Sequence, residues 1–252
     1  MTQKTAIITG ASRGLGKDMA LNLAKNGIDI IFSYNSSEEK AKEVILEIKA
    51  IGQKAVAFHF DANDYKCGQE FIVKATDYLK QENGSPNFDF LINNAGTGTY
   101  NLISDTTEEQ FNEMTNVHLK SVYFLTQKAL PYLNDAGRII NISSGLTRFS
   151  LSGMSAYAMM KGAIEVFTRY LAKELGKRKI TANVIAPGAI ATDFAGGSNR
   201  DNEEKRTKVA NITALGRVGE AEDIGGIVAF LCSDKAGWIN GQRIEVSGGM
   251  LV

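Results

Sequence analysis

The sequence predicts a doubly wound α/β fold, a parallel sheet of about seven strands with helices on both faces. Three observations predict it. Short apolar runs rich in β-branched residues alternate with amphipathic runs in steps of about 25 residues. A glycine-rich turn, Gly10-Ala11-Ser12-Arg13-Gly14-Leu15-Gly16, joins the first apolar run to the first amphipathic one. Later apolar runs end in small or polar residues, at Asp61-Ala62, Asn93-Asn94-Ala95-Gly96, Ser143-Ser144 and Pro187-Gly188. Alternating strands and helices call for right-handed crossovers, and such sheets bind ligands beyond the carboxyl ends of their strands.

Taken in order, residues 5–9 read as the first strand, and Met19, Ala20, Leu23 and Ala24 recur at helical spacing before Gly27 ends the helix. Strand two is 28–33 and helix two 37–51, with Ser36-x-x-Glu39 readable as a capping box. Strand three is 54–60, the next helix 65–82, and strand four 88–92. A long helix is expected over 108–133, its last turn shortened by Pro131. Strand five is 138–142, a second long helix runs over 155–176, and strand six is 179–185. Both long helices are apolar on more than one side, which predicts a subunit interface. The polar segment 192–213 reads as a mobile lid or a solvated charged face. A helix over 220–233 and a strand over 242–246 close the chain. With no linker or repeat, residues 1–252 are expected to form one domain that both binds dinucleotide and catalyses.

The chemistry is read from three places. A glycine turn between strand and helix lets backbone approach a pyrophosphate, and the helix N-terminus offers free N–H groups and partial positive charge. The spacing here, Gly10-x-x-x-Gly14-x-Gly16, differs from the commoner Gly-x-Gly-x-x-Gly. Strand two ends in Ser33-Tyr34-Asn35-Ser36-Ser37, without the acid that would hold a ribose 2′-hydroxyl, and Arg13 lies in the glycine turn. Cations and hydroxyl or amide donors suit a 2′-phosphate, so NADP(H) is favoured over NAD(H). Finally, Tyr157 and Lys161 lie one helical turn apart on one face. A phenol acts near neutral pH only after a shift of about 3 pKa units, or about 4 kcal/mol, part of which a neighbouring ammonium supplies.

Composition limits the rest. Hydrophobic residues make up 44% of the 252, and 28 basic residues balance 28 acidic ones, so neither nucleic acid nor an anionic membrane is an expected partner. Two distant cysteines, Cys67 and Cys232, have no metal-like spacing and suit a reducing cytoplasm. The first strand starts too early for a signal peptide, and no apolar run approaches the length of a membrane span.

The motifs together, Thr9-Gly10-x-x-x-Gly14-x-Gly16, Asn93-Asn94-Ala95-Gly96, Ser144, Tyr157-x-x-x-Lys161, Pro187-Gly188 and Ser247-Gly248-Gly249, resemble those of the short-chain dehydrogenases/reductases along the whole chain. Length and ending resemble the branch containing 3-oxoacyl-carrier-protein reductases and glucose dehydrogenases. The resemblance implies a Rossmann-type fold and hydride transfer between NADP(H) and a small ketone, aldehyde or secondary alcohol. By position it implies that Tyr157 is the general acid/base, that Lys161 binds the nicotinamide ribose and lowers the Tyr157 pKa, and that Ser144 binds the substrate oxygen. Gly10, Ser12, Arg13, Gly14, Leu15 and Gly16 would hold the phosphates, with Asn35 and Ser36 near the 2′-phosphate. Asp61 and Ala62 would meet the adenine, Asn93 the adenine-side ribose, with Ala95 and Gly96 beside it. Pro187, Gly188, Ile190 and Thr192 would border the nicotinamide. Asp61 is also readable as a helix cap, and Asn94 as a sheet brace. Where the family carries an Asn that supports a proton relay to Lys161, the register here gives His118, which titrates near neutrality; Asn116 is off that register. Met154, Phe149 and Leu151 are expected at the crevice mouth. A homotetramer, with Trp238 at a second interface, is the implied assembly. A 3-oxoacyl-carrier-protein reductase and a non-catalytic NADP-binding sensor are the alternative readings.

Overall fold

The computed structural model describes residues 3–252. Strands β1 (Thr5–Ile8), β2 (Asp29–Tyr34), β3 (Ala55–His59), β4 (Phe88–Asn93), β5 (Leu133–Ile142), β6 (Thr181–Pro187) and β7 (Arg243–Val246) form one sheet. Its order is β3-β2-β1-β4-β5-β6-β7, with every neighbouring pair parallel. The helices are α1 (Gly14–Lys25), α2 (Glu38–Ile51), α3 (Tyr65–Asn83), α4 (Glu108–Thr115), α5 (Ser121–Ala129), α6 (Ser155–Glu174), α7 (Ser198–Asp201), α8 (Glu203–Asn211) and α9 (Glu222–Leu231). The predicted seven-stranded Rossmann-type architecture is the one observed.

A parallel sheet must be covered on both faces, because its strands carry apolar side chains on each. On one face, Met19 and Leu23 of α1, Val44 and Ile48 of α2, and Ile224 and Val228 of α9 pack on Ile8, Ile30 and Ile92. On the other, Phe71, Ile72 and Leu79 of α3, Leu125 of α5 and Leu171 of α6 pack on Ile7, Leu91 and Ile139. Each fully buried side chain of this size contributes about 1.5–3 kcal/mol. Local signals set the helix ends. Asp64 accepts from the Lys66 amide at the start of α3, Thr107 and Gln110 form a capping box on α4, and Gly52 and Gly84 close α2 and α3 with positive φ.

Three expectations change. The capping box read at Ser36 and Glu39 does not form: α2 begins at Glu38 behind Ser37, with no side-chain cap bond. The helix predicted over 108–133 is α4, a π-helical turn at Asn116–Lys120, and α5. It ends at Ala129, because Pro131 cannot continue it, and Leu133 pairs with Phe88 as the start of β5. The lid segment is itself folded, into a 3-10 turn at Phe194–Gly197 and then α7 and α8.

The sheet order reverses between β1 and β4, and the crevice there is shaped by close backbone packing. A Cβ on Gly10 (φ +68°) would lie 2.9 Å from the Ala95 Cα, and one on Gly16 would lie 2.3 Å from the Gly10 carbonyl oxygen. Neither position admits a side chain without moving backbone.

Candidate active site

The glycine turn leaves the start of α1 without a side-chain cap: Arg13 occupies the cap position and bonds none of the first amides, and the first turn carries no acid. α3, α4 and α8 are each capped by their own side chains. An uncapped N-terminus reached by close backbone fits a pyrophosphate. Ser12 is buried beneath the turn, Leu15 is half-buried, and Gly14 faces Thr192, whose Cβ is 3.5 Å from where a Gly14 side chain would start. The Ser33 hydroxyl accepts from the Gly10 amide (2.9 Å) and so ties the turn to the end of β2. Beyond it Asn35 and Ser36 are exposed.

The sequence missed Lys40 here. Arg13 Nη1 and Lys40 Nζ lie 3.3 and 3.5 Å from one oxygen of Asp193, which brings two cations together at this edge of the crevice. The only signal was a lysine in the first turn of α2, which reads equally as a solvated helix position.

Asp61 and Ala62 sit half-buried at the end of β3. Asp61 Oδ1 accepts from the Asn63 amide (2.9 Å), and the cap of α3 is Asp64 instead. Asn93 departs from expectation. Its Nδ2 donates to Thr126 Oγ1 (3.0 Å) and Asn141 Oδ1 (2.8 Å) and the residue is 5% exposed, so its side chain braces the sheet. Asn94 braces it too, donating to the Thr9 and Gly10 carbonyls (2.9 Å each). The Ala95 amide is held by Thr9 Oγ1 (3.0 Å), and Gly96 is exposed. Pro187 and Gly188 end β6, and Ile190 packs beneath Gly219.

The reacting groups converge where β5 ends. Ser144 caps the short turn Gly145–Thr147, its Oγ accepting from the Leu146 amide (3.2 Å). Tyr157 and Lys161 are on the buried face of α6, 7% and 6% exposed. Lys161 Nζ donates to the Ile142 carbonyl (2.8 Å) and lies 5.5 Å from the centre of the Tyr157 ring. Burial pushes the Tyr157 phenol well above its ordinary value, with the Ser144 hydroxyl opposing the shift, and burial draws the Lys161 ammonium down to about 7. The ammonium therefore does not bring this phenol toward neutrality: low polarity around both groups outweighs their attraction.

His118 lies in the π-helical turn, where the wider winding buries both it and Val117 although they are adjacent. Its ring meets Tyr157 edge-on, 5.0 Å between centroids at 88°. Nε2 is 2.7 Å from the Thr97 carbonyl oxygen, which fixes Nε2 as the protonated nitrogen, and Nδ1 is buried with no partner among the described residues. Burial, reinforced by the Lys161 charge, lowers the His118 pKa well below its ordinary value. It is therefore held neutral at neutral pH. Asn116 donates to Asn63 Oδ1 (3.2 Å), away from the site.

Over the site, the Phe194 ring lies 5.7 Å from that of Tyr157, and a side chain on Gly98 would collide with it at 2.8 Å. A cleft of about 490 Å³ opens over the start of α6, lined by the apolar Leu102, Ile103, Leu151 and Met154 and by Ser104, Ser150, Ser152 and Ser155, with no charged residue; Ser144, Tyr157 and Phe194 do not line it. Phe149, expected at this mouth, packs on Gly145 instead.

A family model described as enoyl-(acyl carrier protein) reductase matches residues 10–251. A hydroxynaphthalene reductase-like protein of Metarhizium brunneum is 36% identical over 98% of this chain and 94% of its own. The structure of angucycline C-6 ketoreductase LanV with bound NADP superposes with a TM-score of 0.94 at 35% identity, covering 98% of this chain and 95% of that one. A short-chain dehydrogenase/reductase from Serratia marcescens superposes with a TM-score of 0.91 at 32% identity, covering 99% and 98%.

Proposed function

The chain belongs to the short-chain dehydrogenase/reductase family and is an oxidoreductase, and from that premise we propose that it reduces a small, neutral ketone with NADPH. One observation carries the reading: Ser144, Tyr157 and Lys161 meet at the end of β5, in a crevice shared with an uncapped α1 N-terminus. The two cations that Asp193 draws together at the β2 edge, and a β2 end without an acid of its own, support NADP(H), as does the NADP bound by LanV. The bound cofactor supplies hydride.

The protein's part is binding and proton management. Arg13 and Lys40 hold the 2′-phosphate alongside Asn35 and Ser36, and the amides of Gly14, Leu15 and Gly16 face the pyrophosphate. Asp61 and Ala62 border the adenine, and Pro187, Gly188, Ile190 and Thr192 border the nicotinamide. Ser144 Oγ donates to the substrate oxygen and Tyr157 gives that oxygen its proton. The raised Tyr157 pKa leaves the phenol protonated in the resting site, and the phenolate formed when it gives up its proton needs the Lys161 charge beside it. Lys161, held by the Ile142 carbonyl, resupplies the proton, and the bare Nδ1 of His118 accepts the hydrogen bond that continues the relay.

The uncharged cleft supports a neutral substrate, and the relatives named for hydroxynaphthalene and angucycline reduction point to an aromatic one. The cleft offers an acidic acyl carrier no cation in its own lining. We read 1–252 as one domain acting in the cytoplasm, with Cys67 and Cys232 as free thiols. We read the assembly as a homotetramer. Phe111, Tyr123, Met159, Val166 and Tyr170 are exposed on α4, α5 and α6, and Trp238 is 98% exposed near the edge strand β7.

The test is fluorescence titration with NADPH and NADH in parallel, then NADPH oxidation against 2-tetralone, a hydroxynaphthoquinone, an acyl thioester and glucose-type sugars, with Tyr157→Phe as control. NADPH binding with turnover abolished in Tyr157→Phe is expected. Tight binding without turnover of any carbonyl supports the sensor instead, and no binding of either nucleotide removes the reading.

A further inference from the structure

The Tyr157–Lys161 stripe on α6 continues one turn further to Glu165, whose side chain is 14% exposed. Glu165 Oε1 receives Ser143 Oγ at 2.8 Å, Thr147 Oγ1 at 2.7 Å and Arg243 Nε at 2.8 Å. Arg243, reaching in from β7, also places Nη2 3.3 Å from the Ser144 carbonyl oxygen and 3.2 Å from Thr147 Oγ1. Thr147 Oγ1 is itself 3.0 Å from that same carbonyl. Ser144 is thus bracketed: the side chain before it and its own carbonyl are both tied to the Glu165–Arg243 pair. The pair is anchored further out, since Arg243 Nη1 donates to Glu245 (2.9 Å) and Glu245 is gripped by Arg148.

We propose that Glu165 and Arg243 are positioning residues, which fix the backbone of Ser144 so that its hydroxyl points at the substrate oxygen. This rests on Ser144 having the role given above. Neither residue touches the reacting atoms, and neither borders the groove assigned to the nucleotide. Their loss therefore slows the chemical step and spares cofactor binding. A few tenths of an ångström at Ser144 suffices, because a 1 Å misplacement costs up to about a hundredfold in rate.

The experiment compares Glu165→Gln, Thr147→Val and Ser144→Ala with the parent, using the ketone of the panel above that the parent turns over fastest. Glu165→Gln keeps the shape and leaves Arg243 its Glu245 partner; Thr147→Val removes one tie with no change of charge, and stands in if the first variant fails to fold. Expected are a kcat lowered about tenfold or more in Glu165→Gln, a smaller loss in Thr147→Val, NADPH Kd and ketone KM within about twofold, and faster amide exchange at residues 145–148. A kcat within twofold of the parent in the folded variants, while Ser144→Ala is inactive, overturns the positioning role alone. Loss of NADPH affinity in step with kcat overturns it too, as general damage to the crevice. A fully active Ser144→Ala, or a parent that turns over no ketone, overturns the underlying reading and the proposal with it.

Discussion

Replacing Lys161 by Met should stabilise the cofactor-free protein at neutral pH while abolishing turnover. The ammonium is 6% exposed, and its burial draws the pKa down to about 7. In an unfolded chain a lysine titrates near 10.4. The folded value lies below the unfolded one, so between about pH 7 and pH 10.4 the unfolded chain holds the extra proton, and stability from this residue rises with pH across that window. Below pH 7 the whole penalty is present, on the order of 5 kcal/mol at about 1.4 kcal/mol per unit. Methionine removes the penalty but leaves the Ile142 carbonyl without its 2.8 Å partner, at a cost of about 1–3 kcal/mol. The variant should therefore be about 2–4 kcal/mol more stable at pH 6.5, and no more stable than the parent at pH 10. At about 2–4 °C per kcal/mol for a chain this long, Tm at pH 6.5 should rise by roughly 5–10 °C. Scanning calorimetry at one fixed protein concentration measures this, since subunit association also shifts Tm. An equal Tm difference at both pH values, or a less stable variant at pH 6.5, refutes the assignment of a buried, destabilised cation.

Arg13→Ala should weaken NADPH binding by about tenfold to a hundredfold, the worth of a hydrogen bond to a charged group. Lys40→Ala should weaken it by only about threefold, because an ammonium meets the phosphate as a point charge where the Arg13 guanidinium can bind it through two parallel N–H groups. NADH affinity should stay unchanged in both, and parallel fluorescence titrations decide. The parent's pH–rate profile should show no inflection from His118 near pH 6.5, because burial and the Lys161 charge hold that imidazole neutral; an inflection there that vanishes in His118→Asn would contradict this. His118→Asn itself should keep kcat within about tenfold, and His118→Leu, which removes the acceptor, should lose about a hundredfold. Gly16→Ala places a methyl 2.3 Å from the Gly10 oxygen and 2.6 Å from Asn94 Nδ2. It should lower stability by roughly 1–3 kcal/mol and abolish nucleotide binding, read by melting and by titration.

Strand–helix alternation made the sheet legible, because period and length are local properties of the sequence. The same locality explains the misses. The π-helical turn at 116–120 adds no residue type that marks it, so one continuous helix was the natural reading, although the register still brought His118 inward. Asn93 looked like a crevice residue because it ends a strand, but the alternation of side chains along β4 turns it toward Thr126 and Asn141, partners 33 and 48 residues away. Lys40 and Asp193 are 153 residues apart, and Glu165 and Arg243 are 78 apart. Glu165 alone left a trace in the letters, falling four residues after Lys161 on an already suspect face.

The electrostatics of the Tyr157–Lys161 pair run against the simplest account of it. An ammonium near a phenol is expected to lower the phenol's pKa, yet the same burial that brings them together penalises both charged forms, raising one group and lowering the other. The favoured state of the resting site near neutral pH is thus a protonated phenol beside a lysine that gains and loses its proton easily. Giving that proton to a carbonyl oxygen leaves a phenolate, which the same burial disfavours until Lys161 returns the proton. Taking a proton from an alcohol starts from that same phenolate, so either direction needs positive charge beside the ring. Tyr157 is enclosed by Met114, Ala156, Met160 and His118, and this enclosure sets the cost of the phenolate in both directions rather than choosing between them.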